Sequence, residues 1–197
     1  MTQTEPDIKM RILLAAKKLF AQHGYSGTSC RQICEAAGAN IALISYHFGG
    51  KEGVYQAVFE QFFPIMELKS VNFADLDPIE GIRLLVSRII RLTYQDGELS
   101  FMIQQEMLLR SPRRQIVMNV LVEVWGQVRS LLLRGKEDGI FFFGSATNAL
   151  VMVMSAALSH KYMVNFEDVF ADEKIGADNI AAEAVRFILS GLGVKEP

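Results

Sequence analysis

Cysteine is nearly absent from this chain of 197 residues, with Cys30 and Cys34 the only two. Two thiols four residues apart on one helix cannot make a disulfide framework, so a reducing, cytoplasmic setting is expected. They could share a metal only with two further ligands, and no nearby His or Cys supplies them, so no metal is expected and buried small residues are the better reading. Histidine is as sparse: His23, His47 and His160 are scattered. With no Ser-His-Asp, Cys-His, paired-carboxylate or phosphate-loop arrangement, neither catalysis nor a cofactor is expected. Long hydrophobic runs are lacking too. The longest near-apolar stretch, Ala149 to Leu158, is too short to span a bilayer and is followed by His160 and Lys161. The N-terminus is polar through Asp7, so no secretory signal and no membrane partner are expected.

A strong positive charge is also missing. The net charge is −2, which argues against non-specific nucleic-acid binding by the chain as a whole. The charge is uneven, however. Residues 1–51 carry Lys9, Arg11, Lys17, Lys18, Arg31 and Lys51 against Glu5, Asp7 and Glu35, a net +3 that leaves −5 on the rest. A basic head on an acidic body suits a protein that meets a polyanion at one end.

What is abundant is helix-forming apolar sequence. Half the residues are hydrophobic and only five are proline, which points to an all-α fold. Ile12, Ala15, Ala16, Leu19 and Phe20 recur at helical spacing, with Asp7 as a plausible cap and Gly24 as a stop. After Tyr25-Ser26-Gly27, Thr28 is placed to cap a second helix that ends at Gly38. Asn40 opens a short third helix from Ile41 to Phe48, and Gly49-Gly50 breaks the chain. A fourth helix begins at Lys51 and buries Val54, Tyr55, Val58, Phe59 and Phe62.

Pro64 and the stretch Lys69 to Asp77 mark a connection. Asp77-Pro78 then opens a helix to about Tyr94, and another runs from about Glu98 to Arg110. Ser111-Pro112 starts a long helix to about Asp138. Gly139 and Gly144 bracket Ile140–Phe143, a turn whose alternative is a short strand. Helices over about Ser145 to Met163 and Asp178 to Leu189 complete the chain.

Three short helices at the N-terminus, with a tight Gly-containing turn between the second and third, describe a helix-turn-helix. Its third helix would lie in the DNA major groove. The pattern Ile12-x-x-Ala15-Ala16-x-x-Leu19-Phe20-x-x-x-Gly24-Tyr25-x-x-Thr28-Ser29, with Ile33, Ala37-Gly38, Tyr46-His47-Phe48 and Lys51-Glu52, resembles the TetR family signature over roughly residues 8–60. The resemblance implies an N-terminal DNA-binding domain (1–50), a connecting fourth helix (51–68) and a helical ligand-binding and dimerisation domain (69–197). It implies a homodimer on a double-stranded operator, released by a small effector. A helical carrier or enzyme without DNA binding, and an activator, remain alternatives.

The same resemblance assigns roles. Thr28, or the amides beside it, would hold a backbone phosphate, as a helix N-terminus favours; Ser29 and Arg31 complete that edge. Lys51 puts a positive charge at the positive end of a helix dipole, unfavourable by about 0.3–1 kcal/mol, which Glu52 and a bound phosphate would offset. Tyr46 and His47 look like further backbone contacts, although His47 reads equally as structural. Asn40, Ile41, Ala42 and Ser45 are the candidates for base readout, with Asn40 favoured as the cap. Ser45 stands where the family often has Tyr. In the C-terminal half, Met and aromatic residues fill a core or line a pocket alike. Tyr94, Met102, Gln105, Glu106, Asn119, Glu123 and Trp125 are the candidate effector contacts, and would suit a mainly apolar ligand. The long helix from Pro112 and the small-residue helix through Ala146, Ala149, Ala156 and Ala157 are where the family builds its dimer interface.

Overall fold

The computed structural model describes residues 7–63, 71–165 and 175–195. Pro64, Lys69 and Phe166, and the end of the connecting helix expected at residues 64–68, lie outside them. Among the described residues are nine α-helices and no strand: α1 Ile8–Gly27, α2 Cys30–Ala37, α3 Ala42–Phe48, α4 Lys51–Phe62, α5 Pro78–Gln95, α6 Gly97–Leu109, α7 Arg114–Glu137, α8 Ala146–Ala157 and α9 Ala177–Gly191, with a 3₁₀ turn at Ser159–Asn165 before α9. Residues 140–143 are neither helix nor strand; Ile140 and Phe141 N–H donate to the Gly135 carbonyl, and Phe142 N–H to the Leu192 carbonyl, each at 2.8 Å.

The described chain divides into two compact units. The first joins α1–α4 to residues 97–118, and so takes in α6, which the sequence places in the C-terminal domain. The second holds α5, most of α7, α8 and α9.

In the first unit, Ile12, Ala16 and Phe20 of α1 are fully buried, against Ile33 of α2 and Val54, Tyr55, Val58 and Phe59 of α4. Burial of side chains this size stabilises by roughly 1.5–3 kcal/mol each. Gly24 interrupts α1 with φ 70° and ψ 173°, a conformation that a side chain would strain. The helix proper therefore stops where the glycine predicts. Arg11 donates to the Ala37 carbonyl at 2.6 Å, placing a cation at the C-terminal end of α2.

In the second unit, Ile82, Leu85, Val86, Ile89 and Ile90 make one stripe along α5, and Ile180, Ala181, Val185, Ile188 and Leu189 make another along α9; the two helices pack together. Asp77 caps α5 through the Ile79 and Glu80 amides, with Pro78 at the first helical position as its sequence predicts. The single helix expected over 145–163 is instead α8 followed by the 3₁₀ turn. Ser155 and Ser159 hydroxyls donate back to the Val151 and Ala156 carbonyls, local bonds of a kind that bends helices.

The helix α7 is long and apolar enough, by length and composition, to cross a membrane, with 28 % of its most apolar window buried. A search for uninterrupted apolar runs passes over it because Glu123, Gln127 and Arg129 punctuate the sequence.

Candidate nucleic-acid interface

The reader's third helix is short and held at both ends. Asn40 Oδ1 accepts from the Ala42 amide at 2.9 Å, so the asparagine is a cap, as favoured from the sequence. Gly49 closes the other end in a left-handed conformation, φ 72°. Ile44 is the buried anchor, while Leu43 and Phe48 are half-buried. That leaves Ile41, Ala42, Ser45, Tyr46 and His47 on the solvent side, Tyr46 being 82 % exposed and Ile41 55 %. The Tyr46 and His47 rings meet edge-on with centroids 4.9 Å apart. This is the arrangement a groove reader needs: one anchor inward, small and planar side chains outward.

At the start of α2 the sequence expectation is off by one residue. Thr28 is not the cap; it is 2 % exposed, and its hydroxyl faces the Leu19 and Gly24 carbonyls at 3.1 and 2.9 Å. Ser29 is the cap. Its hydroxyl accepts from the Gln32 amide, and the Gln32 side chain accepts in return from the Ser29 amide at 2.8 Å, a complete capping box. Ser29 and Arg31 are both exposed on this edge. Both hydroxyl residues are good caps by type; burial decides between them.

Lys51 has internal partners that its place in the sequence does not reveal. Its ammonium does not depend on a phosphate to offset the dipole of α4. It donates to the Tyr25 and Thr28 carbonyls at 2.8 Å each and lies 4.2 Å from the centre of the Tyr25 ring. These charge-assisted bonds tie the end of α1 to the start of α4. The Gly24 break is what turns the Tyr25 and Thr28 carbonyls out of a helical ladder and makes them available.

A buried polar cluster lies behind this lysine. Glu106 of α6 is 2 % exposed and accepts from Tyr55 Oη at 3.0 Å, from Arg113 Nε at 3.4 Å, and from the Ser111 hydroxyl. The Arg113 guanidinium sits 3.8 Å from the Tyr25 ring centre. Burial and the neighbouring Glu106 carboxylate push the Tyr55 phenol far up, so it remains a donor. Tyr25 is pushed up as well, chiefly by burial, with Glu52 adding and Arg113 opposing. Tyr25 and Tyr55 carry no signal in the sequence for this role, because their partners lie tens of residues away. Arg113, seven residues from Glu106, shows none because its ring partner Tyr25 is distant.

The seven expected effector contacts are not gathered in one unit. Met102, Gln105 and Glu106 belong to the first, with Met102 fully buried and Glu106 engaged as above. Tyr94, Asn119, Glu123 and Trp125 belong to the second. There Tyr94 is half-exposed and donates to the Ile175 carbonyl at 3.3 Å, Trp125 is buried, and Asn119 and Glu123 face solvent on α7. Cys34 is buried, and burial, with Cys30 adding, pushes its thiol up, away from reactivity. No group of metal-ligating side chains occurs among the described residues.

A capped, outward-facing third helix behind a glycine-closed second helix defines a helix-turn-helix protein. Residues 12–58 match the family model for bacterial regulatory proteins of the tetR family. The chain is similar to the probable HTH-type transcriptional regulator YttP of Bacillus subtilis, 31 % identical over 107 residues (52 % of each chain). It is also similar to the HTH-type transcriptional regulatory protein RaaS of Mycobacterium tuberculosis, 36 % identical over 110 residues (50 % of each). The chain thus spans about half the length of the curated relatives it matches. Among solved structures it resembles HlyIIR, a hemolysin II transcriptional regulator, with a TM-score of 0.77 and 28 % identity over 95 % of this chain and 98 % of that one. Over residues 12–58 the chain carries the tetR-family pattern, and the proteins it resembles are named as transcriptional regulators.

Proposed function

We propose that this protein is a transcriptional repressor that binds a pseudo-palindromic operator as a homodimer and is released by a small, mainly apolar effector. The observation that carries this reading is the outer face of α3, where Ile41, Ala42, Ser45, Tyr46 and His47 stand in solvent on a helix anchored by Ile44. Methyl-bearing Ile41 and Ala42 suit thymine methyls, and Ser45 suits a base edge or a phosphate. Tyr46, His47, Ser29 and Arg31 are then the backbone contacts.

Dimerisation is supported by apolar side chains left in solvent on the second unit: Val122 of α7, Val151 and Met152 of α8, and Phe187 of α9, exposed by 54–75 %. Groupings of this kind mark protein interfaces. A two-fold pair would set two copies of α3 one or more helical turns apart on the duplex. The effector would act by favouring a conformation with the wrong spacing, for which a coupling of about 1–3 kcal/mol is typical.

Fluorescence anisotropy with DNA flanking the gene tests the reading. Binding that steepens at low salt and footprints a pseudo-palindrome is expected; no binding to any flanking segment at low salt would overturn it. Ile41→Ala is expected to change the order of preference among operator variants by about 1–3 kcal/mol at one base pair. Uniform weakening across sequences would remove Ile41 from base readout.

A further inference from the structure

The turn between α6 and α7 lies beyond residues 12–58, yet its side chains reach the centre of the reader. Arg110 takes a left-handed conformation there, φ 49°, at a position that usually carries glycine. That geometry is unfavourable for a side-chain-bearing residue. The next residues hold it: Ser111 accepts from the Arg113 amide at 3.1 Å and donates to Glu106, and Arg113 Nε donates to the same carboxylate. With Glu106 as its fixed point, the guanidinium lies against Tyr25. The Tyr25 ring is at the same time the surface beneath the Lys51 ammonium, and its own carbonyl is one of the two that Lys51 holds. An ammonium has three N–H donors. Two are on carbonyls, leaving one for an anion at the start of α4, where the helix dipole also favours negative charge.

We propose that Arg113 is a positioning residue for DNA binding: held by Glu106, it fixes Tyr25, and through Tyr25 it aims the third N–H of Lys51 at a DNA phosphate. The inference rests on the DNA-binding reading above. It makes Glu106 an internal support of the reader rather than an effector contact, and it gives the 110–113 turn leverage over a phosphate contact some sixty residues earlier in the chain.

Two measurements on the full chain test it. In the free protein, the Lys51 side-chain ammonium is expected as a slowly exchanging ¹⁵N NMR signal, lost or broadened in Arg113→Ala and in the gentler Glu106→Gln, and kept in the surface control Arg129→Ala. On the operator, Arg113→Ala is expected to weaken binding about tenfold and to flatten the salt dependence by about one phosphate. Lys51→Ala should do the same, and the double variant should be no worse than either. An ammonium signal that is absent from the wild type or unchanged in both variants overturns the proposal. So does an unchanged salt slope, or losses that multiply in the double variant. A wild type that binds no DNA overturns the repressor reading instead, and the NMR comparison still decides whether Arg113 positions Lys51. If Arg113→Ala fails to fold by circular dichroism, Glu106→Gln carries both measurements.

Discussion

The inward-turned charges described above in the first unit and those beside the 3₁₀ turn of the second are held differently, although Arg134 of the second unit also donates to two backbone carbonyls, those of Ala74 and Leu76. In the first, each inward-turned charge named above has a partner: Lys51 has two carbonyls, Arg11 has the end of α2, and Arg113 and Glu106 have each other. In the second, His160 is 9 % exposed and touches Thr93 Oγ1 at 3.1 Å, while Lys161 pairs with no carboxylate among the described residues. Burial lowers both, Lys161 to about 8, and the lysine's charge lowers the histidine further. Paired charges are directional and fix geometry. Unpaired ones in an aliphatic bundle lower stability and leave the packing to apolar contacts, which can rearrange. A reader that must present side chains to base edges needs the first kind of interior. If the second unit binds the proposed effector, the second kind would let it adapt.

The sharpest way to break this contrast is to crowd a glycine in each unit. A methyl on Gly53 would run into the backbone carbonyl of Phe48, which cannot step aside. Gly53→Ala is therefore expected to destabilise by about 3 kcal/mol, at the upper end for overpacking, in urea unfolding. A small loss would mean the reader yields more than its hydrogen bonds suggest.

Removing the Lys161 cation tests the second unit. Lys161 has a folded value below its unfolded one, so folding expels its proton. The destabilisation is fully present below pH 8 and fades as pH rises from about 8 toward 10.5. His160 adds a loss of stability as pH falls through the unfolded histidine range near 6.5. Thermal melts should therefore show stability rising with pH through both windows. Lys161→Met should raise Tm at pH 7 and erase the rise above pH 8; an alkaline limb that survives the substitution would refute the assignment.

Smaller still, Ser29→Ala removes one half of a capping box and should lower stability by about 1 kcal/mol, whereas Thr28→Ser should be felt through its buried methyl instead. The smallest effect is expected at Gly81. A methyl there meets the side chain of buried Leu131 rather than backbone, and the gain in helix propensity of about 1 kcal/mol offsets part of the crowding. A large loss would show the second unit to be as unyielding as the first.

These differences also explain what could be read from the sequence. Gly24, Gly38, Gly49 and Asn40 state the boundaries of the reader's helices locally, and the structure puts helix ends at each. Asp77-Pro78 does the same for α5. Thr28 and Ser29 are alike by type, so only tertiary burial tells which one caps. Lys51 looked misplaced because its partners, Tyr25 and Thr28, lie 26 and 23 residues away. Glu106 is a carboxylate in a largely apolar stretch of its helix, a pattern shared by pockets and buried networks. The network side of that pattern depends on Tyr55, 51 residues away. What is periodic or capped is legible; what depends on a distant partner is not.

The composition of the first unit bears on modularity. Because α6 and the 110–113 turn are built into it, the reader is not a detachable N-terminal cassette. A chimera that grafts residues 1–63 of this chain onto another family member would leave behind Glu106 and Arg113, and with them the support beneath Tyr25. To transplant operator specificity with its affinity intact, two separate stretches would have to travel together, and the border of a successful swap would run through α7 rather than after α4.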